Sequence, residues 1–229
     1  QVATNDYPKL LAVARAGAGT NNISIADATK NGVCVFNTPG ANANSVAELV
    51  TTMIGVSTRN LHTIFGNQAT IDLQAIEAEK KRFAGREFGG LKLGVIGLGK
   101  IGVIVANKGC ANGMRVIGYD PYANQENLVS LNSSVTLVTE LETFLKEADI
   151  ITIHVPLIDQ TRNLIDQEAI AQMKPDALLI NYARGEICNE EAVVAALDEE
   201  RLAAYITDFP TSIIAQHPKV LWTPHLGAS

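Results

Sequence analysis

The chain has 229 residues, a hydrophobic share of 47%, 18 glycines and a formal charge of −6, a balance suited to an α/β protein with a buried sheet. The acidity argues against a general nucleic-acid or anionic-membrane binder, so an anionic substrate must be held by a local group of Arg, Lys and backbone N–H groups. Cys34, Cys110 and Cys188 lie far apart without metal-ligand spacing, and no apolar run approaches the ~18–20 residues of a membrane span; free thiols in a reducing compartment, no metal and no membrane segment are expected.

Residues 9–14 form an apolar strand candidate that runs into the small-residue loop Arg15-Ala16-Gly17-Ala18-Gly19. A short helix over 23–30, an Asn31-Gly32 turn and a strand over 33–36 follow. Two strands do not make a stable sheet by themselves, so residues 1–44 read as the tail of a truncated lobe and 45–229 as the main domain. Ser45-Val46-Ala47-Glu48 has the spacing of a capping box, in which hydroxyl and carboxylate satisfy free N–H groups at a helix start. The helix it opens runs through Leu49, Met53, Ile54 and Val56, giving a linking helix over 45–65. Residues 66–90 are rich in charge (Glu77, Glu79, Lys80, Lys81, Arg82, Arg86, Glu87) and fit either a solvated segment or a subunit-contacting arm.

From Leu91 the pattern alternates. Strands are expected over 92–97, 115–119, 135–138, 149–155, 177–181, 203–207 and 220–222, and helices over 100–112, 139–147, 166–173 and 189–199. Such alternation implies a doubly wound parallel sheet, with ligands beyond the carboxyl ends of its strands. Residues 95–102 read Val-Ile-Gly-Leu-Gly-Lys-Ile-Gly, and Asp120 closes the next strand eighteen residues after Gly102. Gly97 permits a sharp turn, Gly99 lets a diphosphate approach the backbone, and Gly102 lets the helix pack on the strand. The first N–H groups of that helix suit a phosphate. Asp120 would accept both hydroxyls of an adenosine ribose and repel a 2′-phosphate, which favours NAD over NADP.

Two residues at strand ends could do chemistry. Arg184, in Asn181-Tyr182-Ala183-Arg184-Gly185, offers a permanently charged fork for a carboxylate or carbonyl oxygen; pairing with Glu186 or Glu190 is the plain alternative. His225, in Thr223-Pro224-His225-Leu226-Gly227-Ala228-Ser229, can take and return a hydroxyl proton near neutrality. His62, His154 and His217 lie on a helix, in a strand and in a loop, without such a setting.

Together these segments, with Arg15-Ala16-Gly17, Asn37-Thr38-Pro39, the stretch 42–48 and His154-Val155-Pro156-Leu157, resemble the D-isomer-specific 2-hydroxyacid dehydrogenase family, most of all its short D-3-phosphoglycerate dehydrogenases. The resemblance implies a Rossmann-type NAD-binding domain and a flavodoxin-like substrate lobe, here truncated. It makes His225 the acid/base and Arg184 the group that orients the substrate. It sets Arg15, Ala16, Gly17 and Asn42 against a small anionic 2-hydroxy or 2-oxo acid. NAD would be lined by Thr38, Gly97, Gly99, Lys100, Ile101, Gly102, Asp120, Val155, Tyr182, Ala183, Arg184, Asp208, His225, Gly227 and Ala228.

The implied activity is oxidation of 3-phosphoglycerate to 3-phosphohydroxypyruvate in serine biosynthesis, by a cytoplasmic homodimer. A glyoxylate/hydroxypyruvate or D-lactate type reductase and an NAD-sensing corepressor are the alternatives. Both ends of the chain read as cut, with opening strands of the substrate lobe and a crossing helix expected outside it. One departure bears on mechanism. The family places a histidine-bracing Glu three residues beyond the Phe after strand 203–207, where this chain has Ser212; Thr207 stands where the family has Asp, leaving Asp208 to reach the nicotinamide amide. Without that Glu, the basic limb of the rate profile is expected nearer that of an unassisted histidine.

Overall fold

The computed structural model describes residues 4–17, 19, 20 and 22–227, so Ala228, expected to line NAD, lies outside the described residues. β1 (Ala12–Arg15) and β2 (Cys34–Asn37) pair in parallel across α1 (Ile25–Lys30), whose N-cap Ser24 hydroxyl accepts the Asp27 N–H. β1 starts later than the apolar run 9–14, because the Leu10 N–H still turns back onto the Tyr7 carbonyl at 2.9 Å, and it takes in Arg15. β2 begins one residue late for the same pairing. Among the described residues these strands form a two-stranded sheet of their own.

α2 (Ala43–Thr58) overturns the capping box. The N-cap position falls on Asn42, without a side-chain cap, and Ser45 lies inside the first turn. Glu48 accepts instead from Asn44 Nδ2 at 2.8 Å, a pair four residues apart on one face, and lies 3.7 Å from Lys108 Nζ. A single helix over 45–65 does not form either. Asn60 is left-handed at φ 52, so α2 stops and α3 (Leu61–Asn67) starts afresh. Residues 68–90 pass through 3-10 turns and α4 (Ile76–Glu79), with local pairs Lys80–Glu77 and Arg82–Glu79.

The remainder follows the expected alternation: β3 (Lys92–Ile96), α5 (Lys100–Ala111), β4 (Arg115–Tyr119), α6 (Gln125–Leu128), β5 (Thr136–Leu137), α7 (Leu141–Glu147), β6 (Ile150–Ile153), α8 (Gln167–Gln172), β7 (Ala177–Asn181), α9 (Glu190–Asp198), β8 (Leu202–Thr207) and β9 (Val220–Trp222). The seven strands pair in the order β5-β4-β3-β6-β7-β8-β9, all parallel. Successive strand residues feed opposite cores, as a pleated strand requires. Leu178 and Ile180 join α2 and α5 on one face, and Leu179 joins α7, α8 and α9 on the other. Strands buried on both faces are why β6 and β7 read as mostly apolar runs, with Thr152 and Asn181 as their buried polar members. No helix among the described residues is long and apolar enough to cross a membrane.

Candidate active site

The parallel sheet carries the ends of β3, β4, β6, β7, β8 and β9 to one edge, and the singled-out residues collect there. Gly97 leaves β3 at φ +89, its N–H donating to the Tyr119 carbonyl at 2.8 Å; a Cβ there would meet the His154 carbonyl oxygen at 2.7 Å. A Cβ on Gly102 would lie 1.8 Å from the Gly97 carbonyl oxygen, whereas one on Gly99 would point into open space. Two glycines are thus needed for the turn itself and the third keeps a cradle clear. The N–H groups of Lys100, Ile101 and Gly102 precede the first internal bond of α5, from Val103 N–H to the Gly99 carbonyl at 3.0 Å. Such unclaimed donors at the positive end of a twelve-residue helix fit a diphosphate.

Beside this turn lies a cavity of about 450 Å³, lined by Gly97, Gly99, Asp120, Tyr122, His154 and Val155 among others. Asp120 accepts the Leu98 N–H at 2.8 Å and the Tyr122 N–H at 2.9 Å through separate oxygens. These bonds aim the carboxylate while leaving further lone pairs for hydroxyl donors. The residues present therefore fit a dinucleotide. His154 is half-buried in the cavity wall and bonds Thr152 Oγ1 at 2.9 Å through Nε2; loss of solvent lowers its pKa to about 3, so it is neutral.

The smaller sheet meets this edge through the loop after β2. Gly17 N–H donates to Thr38 Oγ1 at 2.7 Å and Thr38 N–H returns to the Gly17 carbonyl at 3.1 Å. Lys100 Nζ donates to the Pro39 carbonyl at 3.2 Å, which ties that loop to the start of α5. Arg15 ends β1 opposite Asn37, next to Ala16, and Asn42 opens α2.

After β7, buried Asn181 organises the loop: its Nδ2 donates to the Arg184 carbonyl at 2.8 Å and its Oδ1 accepts the Ala183 N–H at 3.1 Å. Arg184 is half-buried, with Nη1 donating to the Ala183 carbonyl at 2.6 Å. Among the described residues it forms no ion pair with Glu186 or Glu190, and Glu190 accepts instead from Thr211 Oγ1 at 2.7 Å. The Tyr182 ring is buried, and burial pushes its hydroxyl up to about 12.

His225 is exposed and left-handed at φ 46, braced by its N–H on the Thr223 carbonyl at 3.0 Å. Its ring meets Phe209 edge-to-face, with centroids 4.8 Å apart. Asp208 is 3% exposed. Burial raises its carboxyl pKa; the charge of His225, the Gly227 N–H and the charge of Arg184 oppose that rise. Sequence reasoning singled out Asp208, His225 and Arg184 one by one, but not their approach to one another.

Residues 51–227 match the family model described as D-isomer specific 2-hydroxyacid dehydrogenase, NAD binding domain. A D-3-phosphoglycerate dehydrogenase of Methanocaldococcus jannaschii is 42% identical over 227 residues, covering 96% of this chain and 42% of that protein. A hydroxypyruvate reductase of Thermotoga maritima is 38% identical over 226 residues, covering 95% of this chain and 70% of the other. The structure of D-lactate dehydrogenase from Aquifex aeolicus, complexed with NAD and lactic acid, matches with a TM-score of 0.80 and 28% identity, over 98% of this chain and 72% of that one. The chain spans about two fifths of the length of the phosphoglycerate dehydrogenases it matches.

Proposed function

Because the chain belongs to the D-isomer specific 2-hydroxyacid dehydrogenase family, with the family's NAD-binding domain over residues 51–227, we propose that the protein oxidises a D-2-hydroxy acid and that this acid is 3-phosphoglycerate. The observation that carries the reading is the gathering of a clear glycine cradle, Arg184 and His225 at one sheet edge. Relatives named as phosphoglycerate dehydrogenases at 36–42% identity support the choice of acid, and with it a place in serine biosynthesis. Residues 1–44 then belong to the substrate lobe. Residues 66–90, beside exposed Phe65 and carrying exposed Leu73 and Ile76, serve as the arm of a homodimer.

NAD, when bound, supplies the acceptor for the hydride that leaves C2. The start of α5 would hold its diphosphate and Asp120 would accept from its ribose hydroxyls. Arg184 fixes the substrate carboxylate and stabilises charge on the reacting oxygen. His225 takes the hydroxyl proton as the C2–O bond becomes a carbonyl and returns it in reduction. A reductase of hydroxypyruvate is the second reading, favoured by the Thermotoga maritima relative of which this chain covers 70%.

A substrate panel on the full-length protein separates the two. With 3-phosphoglycerate as the true substrate, removing the phosphate lowers kcat/KM about 10- to 100-fold, the worth of lost charge-assisted hydrogen bonds; equal rates with glycerate would favour the reductase. His225→Ala should lower kcat by about 10²–10⁴ at unchanged NAD affinity. Retained turnover in that variant would remove the imidazole from the chemistry.

A further inference from the structure

We propose that Asn181, held in turn by Tyr205, is the positioning residue for Arg184: its carboxamide clamps the backbone that bears the guanidinium, so that substrate meets an arginine already aimed. The inference rests on the function proposed above. Asn181 ends β7 as a fully buried polar side chain after four aliphatic residues, where an unpaired amide would be costly. Both ends of the amide are engaged. Its Oδ1 accepts the Ala183 N–H at 3.1 Å and its Nδ2 donates to the Arg184 carbonyl at 2.8 Å. The first backbone group can only donate and the second only accept, so the backbone itself fixes which end of the amide faces which. One bond seizes the peptide group before Ala183, the other the peptide group after Arg184. Arg184 between them is extended, at φ −152 and ψ 140, and its Nη1 donates back to the Ala183 carbonyl at 2.6 Å. Main chain and guanidinium of Arg184 thus both take their bearing from one buried side chain.

The clamp is itself anchored across the sheet. Nδ2 also donates to Tyr205 Oη at 3.3 Å and to Cys188 Sγ at 3.5 Å, dividing its N–H groups among three acceptors. Tyr205 stands on β8, 1% exposed, two residues before Thr207, the register partner of Asn181. Cys188 is also buried, so the loop that leaves Asn181 returns to the same amide. Few side chains could replace it. Asp offers no donor for the Arg184 carbonyl, Ser has a single polar atom, and Leu leaves both backbone groups unmatched. A displacement of about 1 Å in a group that orients substrate can cost 10²-fold in rate. The glycine cradle follows β3, two strands away, and is built from other residues. NAD affinity therefore separates a positioning role from a general loosening.

The test is a double-mutant cycle on the full-length enzyme, read by kcat/KM and by the affinity of the NAD complex for the 2-oxo acid product. Asn181→Ala should lower kcat/KM about 10- to 100-fold and weaken the 2-oxo acid, while NAD affinity stays within about twofold, the scatter expected of independent sites. In the Arg184→Ala background the same change should cost less than about threefold, because an arginine that is absent cannot be misplaced. A merely structural asparagine would give equal losses in both backgrounds and loosen NAD as well. The 2-oxo acid affinity carries the cycle where turnover in Arg184→Ala is too slow to follow. Should Asn181→Ala not fold, Tyr205→Phe decides, since it keeps the ring and removes only Oη. It should lower kcat/KM about 2- to 10-fold, the worth of one neutral hydrogen bond, and only while Arg184 is present. Additive losses, or unchanged kinetics in the variant that decides, overturn the positioning role and leave the function standing. Absence of hydride transfer in the unmutated enzyme overturns the function, and with it the catalytic meaning of the clamp.

Discussion

Half-buried His154 and buried Asp208 both follow strand ends, and loss of solvent moves their titrations in opposite senses for one reason: it penalises whichever form is charged. For His154 the folded value falls to about 3 from 6.5. Its contribution to stability is therefore complete above the unfolded value and drains away as pH falls from 6.5 toward 3, with a slope approaching ~1.4 kcal/mol per pH unit. Urea midpoints measured from about pH 7 to about pH 4 should show this loss, and His154→Asn should flatten it. An equally steep fall in the variant would assign the acid sensitivity elsewhere. Cys188 obeys the same rule: burial lifts its thiol to about 12, so it stays protonated and inert, in keeping with a packing role.

The strand–turn–helix at residues 92–111 shows how one element divides folding from binding among like residues. Gly102→Ala would drive a methyl into a backbone carbonyl 1.8 Å away, which no rotamer relieves, so a loss of about 3 kcal/mol or more is expected. Gly99→Ala meets open space and should leave stability within about 0.5 kcal/mol, while its methyl crowds the cradle and weakens NAD about tenfold or more by displacing a charge-assisted contact. Denaturant melts paired with NAD titrations check both; unaltered NAD binding in Gly99→Ala would place the diphosphate away from this turn. This element was readable in advance because its glycines, helix start and acid are near neighbours in the chain. The beginning of α2 was not, since Ser45 and Glu48 satisfy the spacing of a cap while Asn44 and Lys108 claim the glutamate. The break at Asn60 depends on one left-handed residue, which no periodicity reports. Asp208, His225 and Arg184 were singled out individually, but their approach to one another was not legible, because it arises only when β7, β8 and β9 lie side by side.

Across the whole molecule, burial is divided unevenly between the two sheets. β6 and β7 are buried at every position, whereas β1 and β2 are half-buried at best and Leu11 and Phe36 stand exposed. Hydrogen exchange should therefore be slowest in β3, β6 and β7 and far faster in β1 and β2, since opening free energy follows buried contact. Equal protection in both sheets would mean that the small sheet shares the main core. The same gradient reaches the chemistry. His225 hangs from β9, an edge strand of the large sheet, whose three residues pair with β8 alone among the described strands. Trp222, the sole indole of the chain, closes that strand and bonds the Ala215 carbonyl at 3.0 Å. The imidazole proposed as the acid/base is thus anchored to one of the sheet's two short edge strands, so on warming activity is expected to be lost while the interior is still intact, with the tryptophan emission registering that early fraying.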